Sequence, residues 1–264
     1  MNADWQARYD LAVRTAQDAG RVALKYFPDI DSAAFADQVI WKSDNSPVTI
    51  ADRSAEQYLR ETFLAAFPND GFLGEEFGDH AGSSGYRWIV DPIDGTRNFV
   101  RGVPHWATLV GLEYRDEVIA GVAVEPVLNM TYRALRGDGA YRNDRRIHVS
   151  PVNRLEDSTM FYSSLTWFMK AGKHDEFLQL AKRTQRQRGF GDYYGHVLVA
   201  QGSGEFMAEH GLHAWDVAAI KPIVEEAGGR FSNWAGEPSI HAPDCVTSNG
   251  LLHDQVLAIL RGGT

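Results

Sequence analysis

Apolar residues recur at spacings of three and four from the start of the chain: Trp5, Tyr9, Ala12, Ala16, Ala19, Ala23 and Phe27. That period predicts an amphipathic helix over 3–27, stopped by Pro28. Residues 29–46 read as a connecting segment, ending in Lys42-Ser43-Asp44-Asn45-Ser46-Pro47, and a second helix is expected over 51–67, closed by Pro68. Strand-like segments then dominate at 87–90, 106–113, 117–126 and 130–135, and Gly137-Asp138-Gly139 turns the last of these into another short strand. After Ser150 strands and helices alternate. A strand at 159–163 is followed by a helix at 173–184, a short strand near Gly189 and a helix at 192–203. A strand at 205–209, a helix at 214–227, strands at 230–232 and 245–248 and a last helix from Leu251 complete the order. The pattern predicts helices packed on layered sheets, with a mainly antiparallel half over 1–150 and a βα-alternating half over 151–264. No flexible linker marks the boundary near residue 150, so the halves are expected to pack as one unit around a cleft.

Composition narrows the class. At 264 residues and 44% hydrophobic content the chain is long enough for a large core. A formal charge of −9 with no lysine or arginine block argues against nucleic acid and against an anionic membrane as partners. The same charge would repel an anionic substrate, so a bound cation has to supply the attraction. Cys245 is the only cysteine, which excludes an internal disulfide and a CxxC metal site and fits a reducing cytosol. Asp4, Arg8, Asp10 and Arg14 interrupt any apolar run of the export-signal type, and no apolar stretch approaches the ~20 residues needed to span a bilayer. A soluble, cytoplasmic protein is expected.

The chemistry concentrates in Trp88-Ile89-Val90-Asp91-Pro92-Ile93-Asp94-Gly95-Thr96-Arg97-Asn98-Phe99. A buried strand would deliver Asp91 at its end, Asp94 follows, and Gly95-Thr96 offers bare backbone N–H groups where a short helix should begin. Two acids beside a helix N-terminus give oxygen ligands for a hard cation next to an anion cradle, which suits a metal-assisted phosphate ester hydrolase. An ordinary strand-to-helix turn is the competing reading of this string taken alone. Two further acidic clusters flank it: Leu73-Gly74-Glu75-Glu76-Phe77-Gly78 upstream, read as a glycine-flanked loop, and His213-Ala214-Trp215-Asp216-Val217-Ala218-Ala219 downstream, where Asp216 falls in the first turn of an apolar helix.

Taken in this order, Gly74-Glu75-Glu76, Trp88 to Phe99 and Trp215-Asp216-Val217-Ala218-Ala219 resemble the inositol monophosphatase superfamily, with Lys42-Ser43 and Pro47-Val48-Thr49-Ile50-Ala51-Asp52 resembling its N-terminal signature. The resemblance implies a five-layer αβαβα sandwich, usually a homodimer, and a lithium-sensitive, Mg²⁺-dependent phosphatase with two or three metal ions per site. Carried onto matching positions, it implies Glu75, Asp91, Asp94 and Asp216 as carboxylate ligands and the Ile93 carbonyl as a further one. Gly95 and Thr96 would bind phosphate. Thr96, polarised by Asp52, would act with Glu75 to orient and deprotonate the attacking water. Asp52 also sits where an acid favours a helix start. Glu76 is read as a supporting group, and Lys42 is not assigned a catalytic role.

Within the family, Asn98 to Leu109 and Gly189-Phe190-Gly191-Asp192-Tyr193-Tyr194 resemble the branch acting on L-histidinol phosphate. That substrate carries an ammonium and an imidazole, and Asp192 and Glu209, with Asp94, are the acids expected to meet it. Helix capping is the competing role for Asp192 and a solvent-facing strand end the competing role for Glu209. Glu209-His210-Gly211-Leu212-His213 is less acidic than that branch leads one to expect, which leaves inositol 1-phosphate as the alternative substrate. A non-catalytic ligand-binding protein of the same fold is the distant alternative. His105, His196, His210 and His213 show no zinc-ligand spacing and are read as packing or satisfied polar histidines, and Trp88, Trp106, Trp167 and Trp215 as core.

Overall fold

The structure, a computed structural model, describes residues 2–28 and 50–263. Lys42, Ser43 and the 47–49 stretch of the family signature lie outside the described residues. The chain opens with α1 (Ala3–Leu24), capped by the Asn2 side chain, which accepts from the N–H groups of Asp4 and Trp5. Then follow α2 (Ile50–Ala66), β1 (Gly71–Gly74), β2 (Gly78–His80), β3 (Tyr86–Asp94), α3 (Thr96–Phe99), β4 (Ala107–Tyr114), β5 (Glu117–Glu125), β6 (Met130–Leu135), β7 (Gly139–Arg142) and β8 (Arg145–Arg146). After a 3-10 turn at Leu155–Asp157 come β9 (Thr159–Tyr162), α4 (Leu165–Lys170), α5 (His174–Arg183), β10 (Arg186–Arg188), α6 (Asp192–Ala200) and β11 (Phe206–His210). The chain continues through α7 (Ala214–Val217), α8 (Ile220–Glu226), β12 (Arg230–Ser232), β13 (Asp244–Ser248) and α9 (His253–Leu260).

The strands form an 8-stranded sheet in the order β2-β1-β3-β4-β5-β6-β7-β8 and a 5-stranded sheet in the order β10-β9-β11-β13-β12. Only the β1/β3 pair of the large sheet is parallel, whereas the small sheet is parallel at β10/β9 and β9/β11 and antiparallel at β13. Helices α1 and α2 pack on β3, β4 and β5, with Trp88 stacked on Phe63 at 4.1 Å. Helices α6 and α8 lie between the sheets, touching β11 and β5 respectively, and α4, α5 and α9 close the outer face of the small sheet around Phe168, Phe177 and Leu257. The result is the αβαβα layering expected. No helix among the described residues is long and apolar enough to cross a membrane.

Several local expectations shift. Helix α1 ends at Leu24, and Phe27 turns inward to meet Phe99 and Trp106 edge-on and tilted. The acidic loop at 73–78 is bounded by strands β1 and β2, because Phe72 is fully buried beside Trp88 and draws the segment into the sheet. Strand β3 runs on through Pro92 to Asp94. A register shift between Asp91 and Asp94 accommodates the proline, whose carbonyl accepts the Thr108 hydroxyl at 2.8 Å. The helix expected over 214–227 is two helices: Pro222 has no N–H to donate to the Ala218 carbonyl, so the chain breaks at Ala218-Ala219. Those two alanines press on the large sheet. A Cβ on Gly111 would lie 2.6 Å from the Ala218 Cβ, and one on Gly121 would lie 2.0 Å from the Ala219 carbonyl oxygen. Glycine at both positions is what lets the segment joining α7 to α8 approach β4 and β5 and deliver Asp216.

Candidate active site

A cleft of about 530 Å³ opens where the two sheets meet. Its wall takes Glu75 from the turn after β1, Asp91, Ile93 and Asp94 from β3, Gly95 and Thr96 from the head of α3, Asp192 from α6, Glu209 from β11 and Asp216 from α7. Residues separated by up to 141 positions in sequence thus share one wall (216 − 75 = 141). Carboxylate oxygens of Asp91, Asp94 and Asp216 all lie within 4.8 Å of one another. Asp52, of the expected site residues, does not line the cleft; it is buried in the first turn of α2, close enough that its charge acts on Asp91.

Each group is held by local geometry. Asp91 Oδ1 accepts the Ile93 N–H at 3.0 Å, closing a tight turn at the strand end, and the Thr96 hydroxyl donates to the Ile93 carbonyl at 3.0 Å. Gly95 has φ +86°, and a Cβ there would sit 3.2 Å from the His105 carbonyl oxygen and 3.3 Å from Asp192 Oδ2. Both the left-handed backbone and the close approach require glycine. Asp94 Oδ2 accepts the Tyr193 N–H at 2.5 Å, tying β3 to α6. Asp216 Oδ2 accepts the His213 N–H at 2.7 Å, the capping contact that fixes the start of α7.

Glu75 is exposed on its turn, yet that turn is anchored from below. Glu56 of α2, fully buried, accepts the N–H groups of Glu76 and Phe77 at 2.8 and 2.9 Å. A Cβ on Gly74 would lie 2.0 Å from Glu56 Oε1, so the glycine makes room for the anchoring carboxylate. Sequence reasoning missed Glu56. Its signal was present, as an acid interrupting the apolar stripe Ala51, Ala55, Leu59 and Phe63 of α2. Asn98 was missed as well: its amide donates to the His105 carbonyl at 2.9 Å and to Asp192 Oδ2 at 3.1 Å.

The histidines and tryptophans divide. Trp88 and Trp106 are core, as expected, but Trp167 and Trp215 are only half-buried and line the cleft, Trp167 with Lys170 over its ring and Trp215 stacked on His213 at 4.7 Å. His105, His196, His210 and His213 line it too. His105 stacks on Tyr194 at 4.1 Å with its Nδ1 3.1 Å from buried Glu125. Asp192 begins α6 with φ +57°, and its side chain makes no N-terminal cap, so the capping role is set aside. Glu209 is 5% exposed, which removes the solvent-facing alternative.

The electrostatics follow from crowding acids in a dry place. Burial pushes Asp91 well above the usual carboxylate range, and the charges of Glu75, Asp94, Asp216 and Asp52 push it further. Burial does the same to Asp94, with Asp192 the strongest charged neighbour and the Tyr193 N–H opposing. Among the described residues no lysine or arginine forms an ion pair with Asp91, Asp94 or Asp216. Clustered carboxylates with hard oxygen donors, two of the three buried and the exposed His213 imidazole 3.7 Å from Asp216 beside them, fit a divalent metal ion.

Asp192 is pushed from 3.8 up to about 7, first by burial, then by Glu209 and Asp216, with Arg97 opposing. A raised acid stabilises the fold while protonated: in metal-free protein the full contribution is present below 3.8 and is lost as pH rises through about 7. Asp192→Asn removes that titration and suits the positive φ. Metal-free D192N therefore gains thermal stability over wild type between pH 5 and pH 8, read by melts across that range; a constant difference rules out an ionised, strained Asp192.

Comparison with known proteins agrees with this geometry. A histidinol-phosphatase of Mycobacterium tuberculosis is 41% identical over 227 residues, covering 84% of this chain and 87% of that protein. One from Chlorobaculum parvum is 38% identical over 254 residues, 96% of each chain. The crystal structure of the extragenic suppressor protein suhB from Bartonella henselae superposes with a TM-score of 0.89 at 31% identity, covering 98% of this chain and 100% of that one. The sequence profile of the inositol monophosphatase family matches residues 4–263, and the chain belongs to that family.

Proposed function

We propose that this phosphoric monoester hydrolase acts on L-histidinol phosphate, releasing L-histidinol and inorganic phosphate. The observation that carries the reading is the pair of acids, Asp192 and Glu209, on the same cleft wall as the cluster of Asp91, Asp94 and Asp216. The phosphate has one end of the cleft and the leaving group the other. A leaving group bearing an ammonium and an imidazole gains charge-assisted hydrogen bonds from two carboxylates that a neutral polyol cannot match. The identity to the histidinol-phosphatases supports the same choice.

Glu75, Asp91, Asp94, Asp216 and the Ile93 carbonyl would hold the metal, taken as Mg²⁺ at two or three ions per site. When bound, such cations supply the Lewis acidity that neutralises the phosphate, acidifies a water and steadies the departing alkoxide. The chain's own residues do the rest. Gly95 and Thr96 offer backbone N–H groups to the phosphate oxygens. Glu75 and the Thr96 hydroxyl, polarised by Asp52, would orient the attacking water, and Glu75 would take its proton. Asn98 steadies Asp192 against the leaving group. The same reading takes the protein as a lithium-sensitive cytoplasmic homodimer.

A substrate panel tests it. With Mg²⁺ present, phosphate release from L-histidinol phosphate should exceed that from inositol 1-phosphate by about tenfold or more in kcat/KM, and EDTA should abolish both. A preference for inositol 1-phosphate would overturn the substrate assignment.

A further inference from the structure

Glu209 does not stand alone. His196, 1% exposed in the buried face of α6, has Nε2 3.1 Å from Glu209 Oε2 and Nδ1 2.8 Å from the Thr247 hydroxyl. Met207 and Glu209 of β11 pair with Thr247 and Cys245 of β13, so these four side chains share the sheet face that α6 covers. Gly195 brings the helix down onto that face, since a Cβ there would lie 2.2 Å from the Met207 sulfur. Asp192 and His196 stand one turn apart on α6. The helix therefore carries one of the two leaving-group acids and, through His196, holds the other.

We propose that His196 is a positioning residue that fixes the Glu209 carboxylate beside Asp192, and that it thereby sets the preference for cation-bearing over neutral leaving groups. Glu209 Oε2 is 3.1 Å from the imidazole Nε2, and the carboxylate lines the cleft, so Oε1 is the atom we assign to a ligand. A carboxylate this deeply buried holds one orientation only while a donor satisfies it. Without the imidazole donor the Glu209 side chain turns away, and the charge facing an ammonium or imidazolium is lost. A polyol, which needs only a hydrogen-bond acceptor, loses much less. The inference rests on the reading of the cleft as a histidinol phosphate site.

Two conservative variants separate the two nitrogens. Glutamine places its amide near the position of Nε2, and asparagine near that of Nδ1. H196Q should keep the ratio of kcat/KM for L-histidinol phosphate over inositol 1-phosphate within about threefold of wild type, whereas H196N should lower that ratio about tenfold, chiefly through the KM for histidinol phosphate. In an E209Q background H196N should change the ratio no further, because the histidine acts through the glutamate. Equal losses with both esters, or an additive effect in E209Q, would reduce His196 to a structural residue and overturn the inference. The reading beneath it fails separately: a wild type that prefers inositol 1-phosphate overturns both, whereas a wild type that prefers histidinol phosphate with H196N unchanged overturns this inference alone.

Discussion

Asp94→Asn is expected to cut turnover on the order of 10³-fold or more while the variant folds normally. Asp94 is 7% exposed, lies within reach of Asp91 and Asp216, and is pushed well above the usual carboxylate range by burial and then by Asp192. Its charge is thus a burden to the fold and an asset only to a bound cation. An asparagine side-chain oxygen can still accept the Tyr193 N–H, so the tie between β3 and α6 survives. Removing the charge should raise the stability of metal-free protein by about 1–2 kcal/mol, a few degrees in Tm for a chain of this size. The same variant should be stabilised far less than wild type by added Mg²⁺. Melts with and without EDTA, together with phosphate release, read all three effects. Near-wild-type turnover would remove Asp94 from the set of metal ligands.

Gly121→Ala should be the most damaging single methyl group in the molecule's midsection. The nearest atom to the added Cβ is the Ala219 carbonyl oxygen at 2.0 Å, followed by the Ala219 carbonyl carbon and Pro222 Cγ at 2.8 Å. These atoms belong to backbone and to a proline ring, so no side-chain rotation relieves the clash. Strand β5 is an inner strand of the large sheet, and α8 is packed against β5, β6 and β12 at once. Overpacking of this kind costs about 3 kcal/mol, or roughly 6–12 °C in Tm. Because Asp216 precedes the obstructed segment on α7, the metal affinity of the folded fraction should fall as well. Gly137→Ala is the control: its φ of +83° strains an alanine, but nothing lies within 4 Å, so the cost is the backbone strain alone, about 1 kcal/mol. A Gly121→Ala protein that melts within a degree or two of wild type would show that α7 and α8 can retreat from the sheet.

Much of this architecture was legible in local patterns. The apolar period of α1 and α2, the strands β4, β5, β6 and β12, and the α3 start after Gly95 all follow from residues close in sequence. The motifs around Glu75, Asp91, Asp94 and Asp216 singled those acids out by their resemblance to a family, and the structure brings Asp91, Asp94 and Asp216 within 4.8 Å of one another. The errors have a common cause. Strand β1 is too short to alternate visibly and exists because Phe72 packs beside Trp88. The break at Ala218-Ala219 requires weighing Pro222 against a long apolar run. Trp167 and Trp215 look like core residues until the cleft beside them is known.

The chain by itself determined which acids are present and which of them end strands or begin helices. Only the tertiary structure decided that Glu56 anchors the Glu75 turn, that Asn98 holds Asp192, and that His196 holds Glu209. Those pairings join residues 20, 94 and 13 positions apart across different layers. No local propensity encodes such contacts. They arise because glycines at 74, 95 and 195 let helices and strands come closer than any side chain would permit, and a missing Cβ reveals its purpose only when the opposing surface is in place.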